Sequence, residues 1–180
     1  MSRLVFFKRK AHRYRDWKKE GHGHTDLHKA IMQSCDVYFY MLAYELGINR
    51  IHAGLSKFGF GQVTGIDIGG EAKALLPSRE WKREAIGQVW FPGETLILGI
   101  GQGYALSTPL QLAKATATLA NKGKVIRPRL VSSTSNSITN EVNALPSVSE
   151  EKVTISHDNY WADIIKSMEG VVHGVGGTAW

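Results

Sequence analysis

The 180-residue sequence has one cysteine, five prolines and no apolar run approaching the length of about 18 residues that a membrane-spanning helix needs. A single cysteine cannot form an internal disulfide, so a disulfide-stapled scaffold is excluded and the redox compartment stays open. The apolar stretch near the start covers only residues 4–7 and is followed by basic residues, which is not the pattern of a signal peptide. With 43% hydrophobic and 21% charged residues, the chain is predicted to form a globular hydrophobic core.

The net charge of +6 is concentrated near the beginning of the sequence. Residues 1–30 hold nine lysines and arginines against three acidic residues, whereas residues 31–180 hold thirteen of each. The basic segment Lys8-Arg9-Lys10 could bind phosphates, with Tyr14 and Trp17 stacking on bases, so a nucleic-acid-binding chain is one alternative. Runs of charge are more often simply solvated, and solvation is the interpretation we prefer.

Two helix patterns occupy the first third of the chain. Apolar residues recur at helical spacing over residues 27–46, with Thr25 or Asp26 as the N-cap and a glycine directly after the last position. A break in this helix is expected near residues 34–36. A second helix is predicted over residues 49–58, and the glycine-rich stretch that follows it is predicted as loop or short strand.

The later part of the chain carries the clearest helix start. Thr108-Pro109 combines a capping hydroxyl with a proline at the first helical position. Residues 124–132 contain a proline and are predicted as an edge strand or an extended connection. Residues 132–149 are rich in Ser, Thr and Asn and are predicted as an exposed loop, after which Asp158 is predicted to cap a last helix.

Three stretches of the sequence occur in an order and at a spacing that are informative together. They are His12 to Trp17 with Gly21 to Gly23, then Leu27 to Tyr40, then Pro92 to Gly103 with Thr108 to Ala113. Over roughly residues 10–180 they resemble the penicillin-binding D,D-transpeptidases, specifically the elongation class often called penicillin-binding protein 2. Residues 1–9 are an unmatched basic segment, so residues 10–180 are predicted to be a partial transpeptidase domain.

The resemblance implies an α+β fold and a cell-wall activity. The fold would be a fragment of a serine β-lactamase-like transpeptidase domain, mainly its helical lobe, with much of the five-stranded antiparallel sheet missing. The parent enzyme would cross-link peptidoglycan stem peptides through an acyl-serine intermediate, and β-lactams would acylate the same serine. The parent class is held in the inner membrane, faces the periplasm and works with membrane proteins of the elongation complex.

Ser34-Cys35-Asp36 matches the second of the three sequence motifs that the family uses. The resemblance gives Ser34 the role of relaying protons beside the nucleophile, and Asp36 the role of helping to hold the catalytic lysine and the substrate. The simpler alternative is that Ser34 only interrupts a helix and that Asp36 caps the next one.

The other two motifs, Ser-x-x-Lys and Lys-Thr/Ser-Gly, are absent from their family positions. Ser149-Glu150-Glu151-Lys152 has the first pattern, but it follows Ser34 instead of preceding it and lies in a polar loop, so we treat it as chance. Losing the nucleophile and an oxyanion donor each costs orders of magnitude in rate. The isolated chain is therefore predicted to be inactive, with a non-catalytic remnant or binding module as the alternative.

Asp16, His22 and Cys35 offer the carboxylate, imidazole and thiolate ligands that zinc accepts. They would converge if the loop that starts at Asp16 folds back onto the turn at Cys35. The elongation-class resemblance is consistent with a structural zinc beside the second motif. The fourth ligand would lie upstream, or one of His12, His24 and His28 would substitute. The alternative is a buried free thiol among solvated histidines.

No other cofactor is predicted. The glycines within residues 99–103 could be mistaken for a phosphate loop, but no Lys-Ser/Thr follows them. Because the helical lobe of a transpeptidase normally packs against a sheet, the chain is expected to expose apolar surface and to be marginally stable or prone to association.

Overall fold

The computed structural model describes residues 4–5, 14–149 and 151–179, and over these residues the fold is mainly helical. The helices are α1 (Leu27–Met32), α2 (Asp36–Lys57), α3 (Arg79–Ile86), α4 (Pro92–Gly99), α5 (Pro109–Ala120) and α6 (Asn159–His173). The strands are β1 (Leu4–Val5), paired antiparallel with β2 (Tyr14–Arg15), and β3 (Ser133–Ser135), paired antiparallel with β4 (Val142–Ala144). The predicted α+β class, with a dominant helical part, is confirmed.

The chain divides into two compact units. The first contains Met1–Ala53, Pro77–Ala105 and His157–Trp180, and the second contains Gly54–Leu76 and Leu106–Ser156. Among the described helices, none combines the length and the apolar character needed to cross a membrane. The basic segment Lys8-Arg9-Lys10 and the candidate ligand His12 lie outside the described residues.

The helical segments predicted over residues 27–58 are present as α1 and α2, and the expected break near residues 34–36 separates the two helices. Asp26 is the N-cap of α1, and its Oδ1 accepts the Lys29 N–H at 2.8 Å. Gly47, at φ 71° and ψ 161°, is non-helical and separates two helical segments within α2. A glycine is needed there because this backbone region is strained for other residues.

Helix α3 carries a buried lysine that sequence reasoning did not single out. Ser78 caps α3 through its side chain, which accepts the Trp81 N–H at 3.0 Å. Lys82 is fully buried and forms an ion pair with Glu94 of α4. Its Nζ also lies 4.5 Å from the centre of the Phe91 ring, so a cation–π contact supplements the pair.

Helix α4 was not predicted from the sequence, although its start signals are local. Pro92 occupies the first turn, and the Glu94 carboxylate accepts the Phe91 N–H at 2.7 Å. This is the carboxylate half of a capping box, which satisfies a backbone donor that the helix itself leaves unpaired. The local sequence signal for this helix start is Pro92-Gly93-Glu94 directly after Phe91.

Two other predictions need correction. Asp158 precedes α6 but makes no side-chain capping bond, because its own backbone is already helical at φ −63° and ψ −26°. Within the predicted exposed loop, β3 and β4 form a short hairpin whose residues are all exposed. β3 is entirely polar and β4 has only three residues, so neither carries an alternation of apolar and polar residues long enough to identify a strand in sequence.

The first unit has two small apolar cores. One consists of buried Ala30, Cys35, Val37, Tyr40 and Leu96. The other consists of Ile48, Trp90 and Leu98. Both join α2 to α4, and the contact is close because Gly99 has no side chain: a Cβ there would lie 2.5 Å from the Ala43 Cβ.

The second unit is organised around α5. The Thr108 side chain accepts the Gln111 N–H at 3.1 Å, and the Gln111 side chain accepts the Thr108 N–H at 3.0 Å, so the predicted cap is confirmed as a complete capping box. Gln111 is buried, and its Nε2 donates to the carbonyls of Gln62 and Lys73. These two hydrogen bonds connect the glycine-rich segment before residue 76 to α5.

Candidate functional site

The turn between α1 and α2 presents Ser34 at the surface of the first unit. Ser34 has φ 52°, a left-handed conformation that is uncommon for a residue with a side chain. The conformation is held by the Trp17 indole, whose Nε1 donates to the carbonyls of Gln33 at 3.1 Å and Ser34 at 2.9 Å. The break predicted at this point is thus a positioned turn.

The Ser34 hydroxyl faces the segment that follows α6. Its Oγ lies 3.0 Å from the Thr178 Oγ1, and both residues are exposed. Together with Trp17, Gly176 and Gly177 they line an open cleft of about 560 Å³. A serine hydroxyl that lies in a cleft and is already hydrogen-bonded to a second hydroxyl can both donate and accept a proton.

Asp36 is the first residue of α2, and its carboxylate contacts the segment that holds the Ser34 turn. Its Oδ2 accepts the Trp17 N–H at 3.1 Å. Burial raises the pKa of the Asp36 carboxyl above its usual value, and the backbone bond from Trp17 opposes that rise. Its place in the first turn also suits the positive end of the helix dipole.

The three predicted metal ligands are brought together. The Asp16 Oδ2 lies 3.2 Å from the His22 Nδ1 and 3.4 Å from the Cys35 Sγ. One ligand atom from each of the three residues lies within 4.8 Å of the others. The side chains of Asp16 and His22 are each only 1% exposed, and Cys35 is also buried.

This cluster has two chemical interpretations. In a zinc tetrahedron with bonds of about 2.0–2.3 Å, ligand atoms are roughly 3.3–3.8 Å apart, which is similar to the two distances from Asp16. As a metal-free cluster, the Asp16 carboxylate accepts hydrogen bonds from the Cys35 thiol and from the Val37 N–H at 3.3 Å. The buried His22 Nε2 has no partner among the described residues. Burial raises the pKa of the Cys35 thiol, and the Asp16 carboxylate adds to the rise.

The substitute fourth ligands named above do not join the cluster where they can be located. His28 is bonded instead through its Nδ1 to the Ser167 Oγ at 3.1 Å. His24 is exposed, and its carbonyl accepts from Lys29. Within the described part of the chain, the candidate ligand group therefore contains only the three predicted residues.

Ser149 and Lys152 of the Ser-x-x-Lys pattern lie in the second unit, whereas Ser34 lies in the first. Ser149 is exposed and forms an isolated β-bridge with Ile126. Glu150 lies outside the described residues.

Sequence reasoning missed two residues of the Ser34 cleft. Trp17 lay inside a family-like stretch, but nothing local indicated that its indole would bind the turn before α2. Thr178 lies 144 residues from Ser34, and no spacing rule connects such positions.

Comparison with known sequences identifies relatives over nearly the whole chain. Residues 5–179 match the family described as the penicillin binding protein transpeptidase domain. The peptidoglycan D,D-transpeptidase MrdA of Salmonella typhimurium is 43% identical over 167 residues, which are 93% of this chain and 27% of the relative. MrdA of Haemophilus influenzae is 43% identical over 169 residues, which are 92% of this chain and 25% of the relative. The chain spans about a quarter of the length of these relatives.

Solved structures give the same result. PBP2 of Pseudomonas aeruginosa, solved in complex with WCK 5153, is 44% identical and superposes with a TM-score of 0.86 over 98% of this chain and 39% of that protein. PBP2 of Helicobacter pylori, solved in complex with MreC, is 32% identical and has a TM-score of 0.84 over 99% of this chain and 31% of that protein.

Proposed function

Because the chain belongs to the penicillin-binding protein transpeptidase family, we propose that it forms the Ser-x-Asp-bearing part of a peptidoglycan D,D-transpeptidase. In the whole enzyme, stem peptides would be cross-linked through an acyl-serine intermediate, and penicillin would acylate the same serine. The observation that carries this proposal is the placement of the Ser34 hydroxyl in an open cleft beside the Thr178 hydroxyl. The chemistry needs no cofactor.

We assign Ser34 the role of relaying a proton between the nucleophile and the leaving group. Its hydroxyl has a neighbour 3.0 Å away that can take or give a proton, which supports this role. We assign Asp36 the role of helping to hold the catalytic lysine and the substrate. Its fixed position, set by the Trp17 N–H, supports a positioning function.

The parent enzyme is proposed to be anchored in the inner membrane, to face the periplasm and to bind membrane proteins of the elongation complex. The Helicobacter pylori relative was solved in complex with MreC, which supports a protein partner for the parent enzyme.

A chimera tests the catalytic proposal. The matching segment of Pseudomonas aeruginosa PBP2 would be replaced by this chain, and acylation by a fluorescent penicillin would be measured. We expect acylation in the chimera and a loss of at least about 100-fold in its Ser34→Ala variant, the usual scale for a proton-transfer group. Ser133→Ala, at an exposed serine on β3, is the matched control and should acylate normally. A folded chimera that is acylated equally well without Ser34 would contradict the assigned role.

The isolated 180-residue chain is expected to remain unmodified. Its sequence offers no Ser-x-x-Lys ahead of Ser34 and no Lys-Thr/Ser-Gly. Intact-mass spectrometry after incubation with a penicillin should show no adduct. A stoichiometric adduct that disappears in Ser34→Ala or in Ser149→Ala would name a nucleophile and overturn the expectation.

We further propose that Asp16, His22 and Cys35 hold a structural zinc ion. The donor set and the convergence of the three ligand atoms within 4.8 Å support this proposal. A bound zinc would cross-link the loop containing Asp16 and His22 to the turn that presents Ser34, and it would stabilise the site without taking part in the reaction.

Metal content tests the zinc proposal directly. Protein purified without chelators should contain about one zinc per chain by elemental analysis, and Cys35→Ala should lose most of it. His24→Ala, an exposed histidine in the same loop, is the matched control and should keep its zinc. Wild-type protein without zinc would support the hydrogen-bonded cluster instead, and a Cys35→Ala variant with unchanged zinc would show that Cys35 is not a zinc ligand.

A further inference from the structure

The second unit contains a cleft whose lining is strongly basic. The cleft measures about 640 Å³, which falls within the usual range for small-molecule sites. Four cationic side chains line it, from Lys57, Lys114, Arg127 and Lys152, against a single acidic one from Glu151. The lining therefore carries an excess of positive charge, although residues 31–180 as a whole are neutral.

Two of the four cations are fixed in place by the glycine-rich segment after α2. The Arg127 Nε donates to the Gly65 carbonyl, and the Lys114 Nζ donates to the Thr64 carbonyl at 3.2 Å. Gly65 has φ +76°, and a Cβ on it would lie 3.1 Å from the Arg127 Nε. The glycine thus permits the close approach of the guanidinium, and these bonds position charge along one wall of the cleft.

The backbone behind Arg127 is also tied down. The Arg127 N–H donates to the Val148 carbonyl at 3.1 Å, and the Val153 N–H donates to the Gly123 carbonyl at 2.9 Å. The backbone at Arg127 and beside Lys152 is therefore held by hydrogen bonds. A ligand that binds there would lose less entropy in ordering this backbone.

Neighbouring carboxylates neutralise only part of this charge. Glu71 interacts with Lys114, but its oxygens already accept the N–H groups of Thr64 at 2.6 Å and Gly65 at 3.0 Å. Asp67 interacts likewise with Arg127.

The two remaining cations of the cleft, Lys57 and Lys152, are both exposed. Neither forms an ion pair within the part of the chain that the structure describes. These two side chains are consequently available to an anion in the cleft.

We propose that this cleft binds a small multivalent oxyanion, of the phosphate-ester or pyrophosphate class. Several separated cations around one cavity match a ligand with charge on more than one group, because each ammonium or guanidinium can pair with its own oxygen. The lining has no aromatic side chain, and nucleic acids that bind without sequence preference need such stacking surfaces. The proposal does not depend on the transpeptidase assignment.

Titration calorimetry of the full chain with sodium pyrophosphate tests the proposal. We expect saturable binding that weakens as NaCl is raised from about 50 to 200 mM. Lys57→Gln combined with Lys152→Gln should weaken binding by about tenfold or more, because it removes two charge-assisted partners. Lys73→Gln combined with Lys122→Gln removes the same charge at two lysines of this unit that do not line the cleft, and should leave affinity within about twofold.

Further measurements distinguish the source of the phosphate and keep the test decisive. Co-sedimentation with anionic phosphatidylglycerol vesicles, compared with neutral phosphatidylcholine vesicles, shows whether the cleft binds a lipid headgroup or a soluble phosphate ester. If pyrophosphate binds, the proposal is supported whether or not the chain also binds the anionic vesicles. If the double variant does not fold, each single variant should weaken binding by about threefold. Absence of pyrophosphate binding, an equal loss in the control pair, or binding of single-stranded DNA alone would overturn it.

Discussion

The hydroxyls of Ser34 and Thr178 lie 3.0 Å apart although 144 residues separate them in the chain. The contact depends on the packing of α6 against α1, where His28 bonds to Ser167. It also depends on Gly174, since a Cβ at that position would lie 2.7 Å from the Met32 Sδ. The end of α6 can therefore bring the following segment back to the turn that carries Ser34.

A double-mutant cycle measures this contact. We expect Ser34→Ala and Thr178→Val to be coupled by about 0.5–1.5 kcal/mol, the range of a net hydrogen bond, with the lower end favoured because both hydroxyls are exposed. Urea denaturation of the four proteins gives the coupling energy. Strictly additive effects would show that the two hydroxyls do not interact in solution.

Removing the buried cation at Lys82 should be strongly destabilising. Lys82→Ala leaves the Glu94 carboxylate without its partner and opens a cavity under Phe91, so we expect a loss of about 3 kcal/mol or more. Lys82→Met keeps most of the side-chain volume and should recover part of the loss. Equal stability of Lys82→Ala and wild type in chemical denaturation would contradict the importance of the pair.

Two glycine substitutions should change the free energy of unfolding in opposite directions. Gly99→Ala places a methyl group 2.5 Å from the Ala43 Cβ and 2.9 Å from the Phe39 carbonyl oxygen, so overpacking should cost about 1–3 kcal/mol. Gly54→Ala, within α2, has no neighbour within 4 Å and should gain about 0.5–1 kcal/mol from helix propensity. Thermal unfolding of both variants checks the pair, and a neutral Gly99→Ala would mean that α2 and α4 are less closely packed.

Low pH should reduce the stability of the second unit, because it protonates the Asp67 carboxylate. The backbone N–H groups of Val131 and Leu130 hold the pKa of the Asp67 carboxyl below its ordinary value of 3.8. A group with a lowered folded-state pKa contributes its stability above the unfolded pKa and loses it as pH falls through the folded pKa. We therefore expect the contribution to be complete near neutrality and to disappear progressively below about pH 4.

Asp67→Asn is the control for this pH dependence. It should be less stable than wild type at about pH 7, and the difference should shrink as the pH falls below about 4 and the wild-type carboxyl becomes protonated. Unfolding by urea across this range gives both curves. A stability difference that is independent of pH would assign the effect to packing instead of ionisation.

Much of the helical framework was predictable because its signals are local. The Thr108-Pro109 start of α5 and the glycine break within α2 act through backbone groups within one turn of the residue concerned. The hairpin of β3 and β4 could not be predicted, since its three-residue strands are exposed and too short to carry a recognisable alternation of apolar and polar residues.

The sequence by itself determined the family resemblance, the start of α5, the glycine break within α2 and the identity of the residues that meet around Asp16. The residue types set the chemistry of the Asp16 cluster, and helix caps act over only a few positions along the chain. Only the tertiary structure decided that Thr178 faces Ser34, that Lys82 is buried against Glu94, and that lysines far apart in sequence share one cleft. These relationships depend on which distant segments pack together, and the hydrophobic contacts that bring them together are non-directional and carry no fixed spacing along the chain.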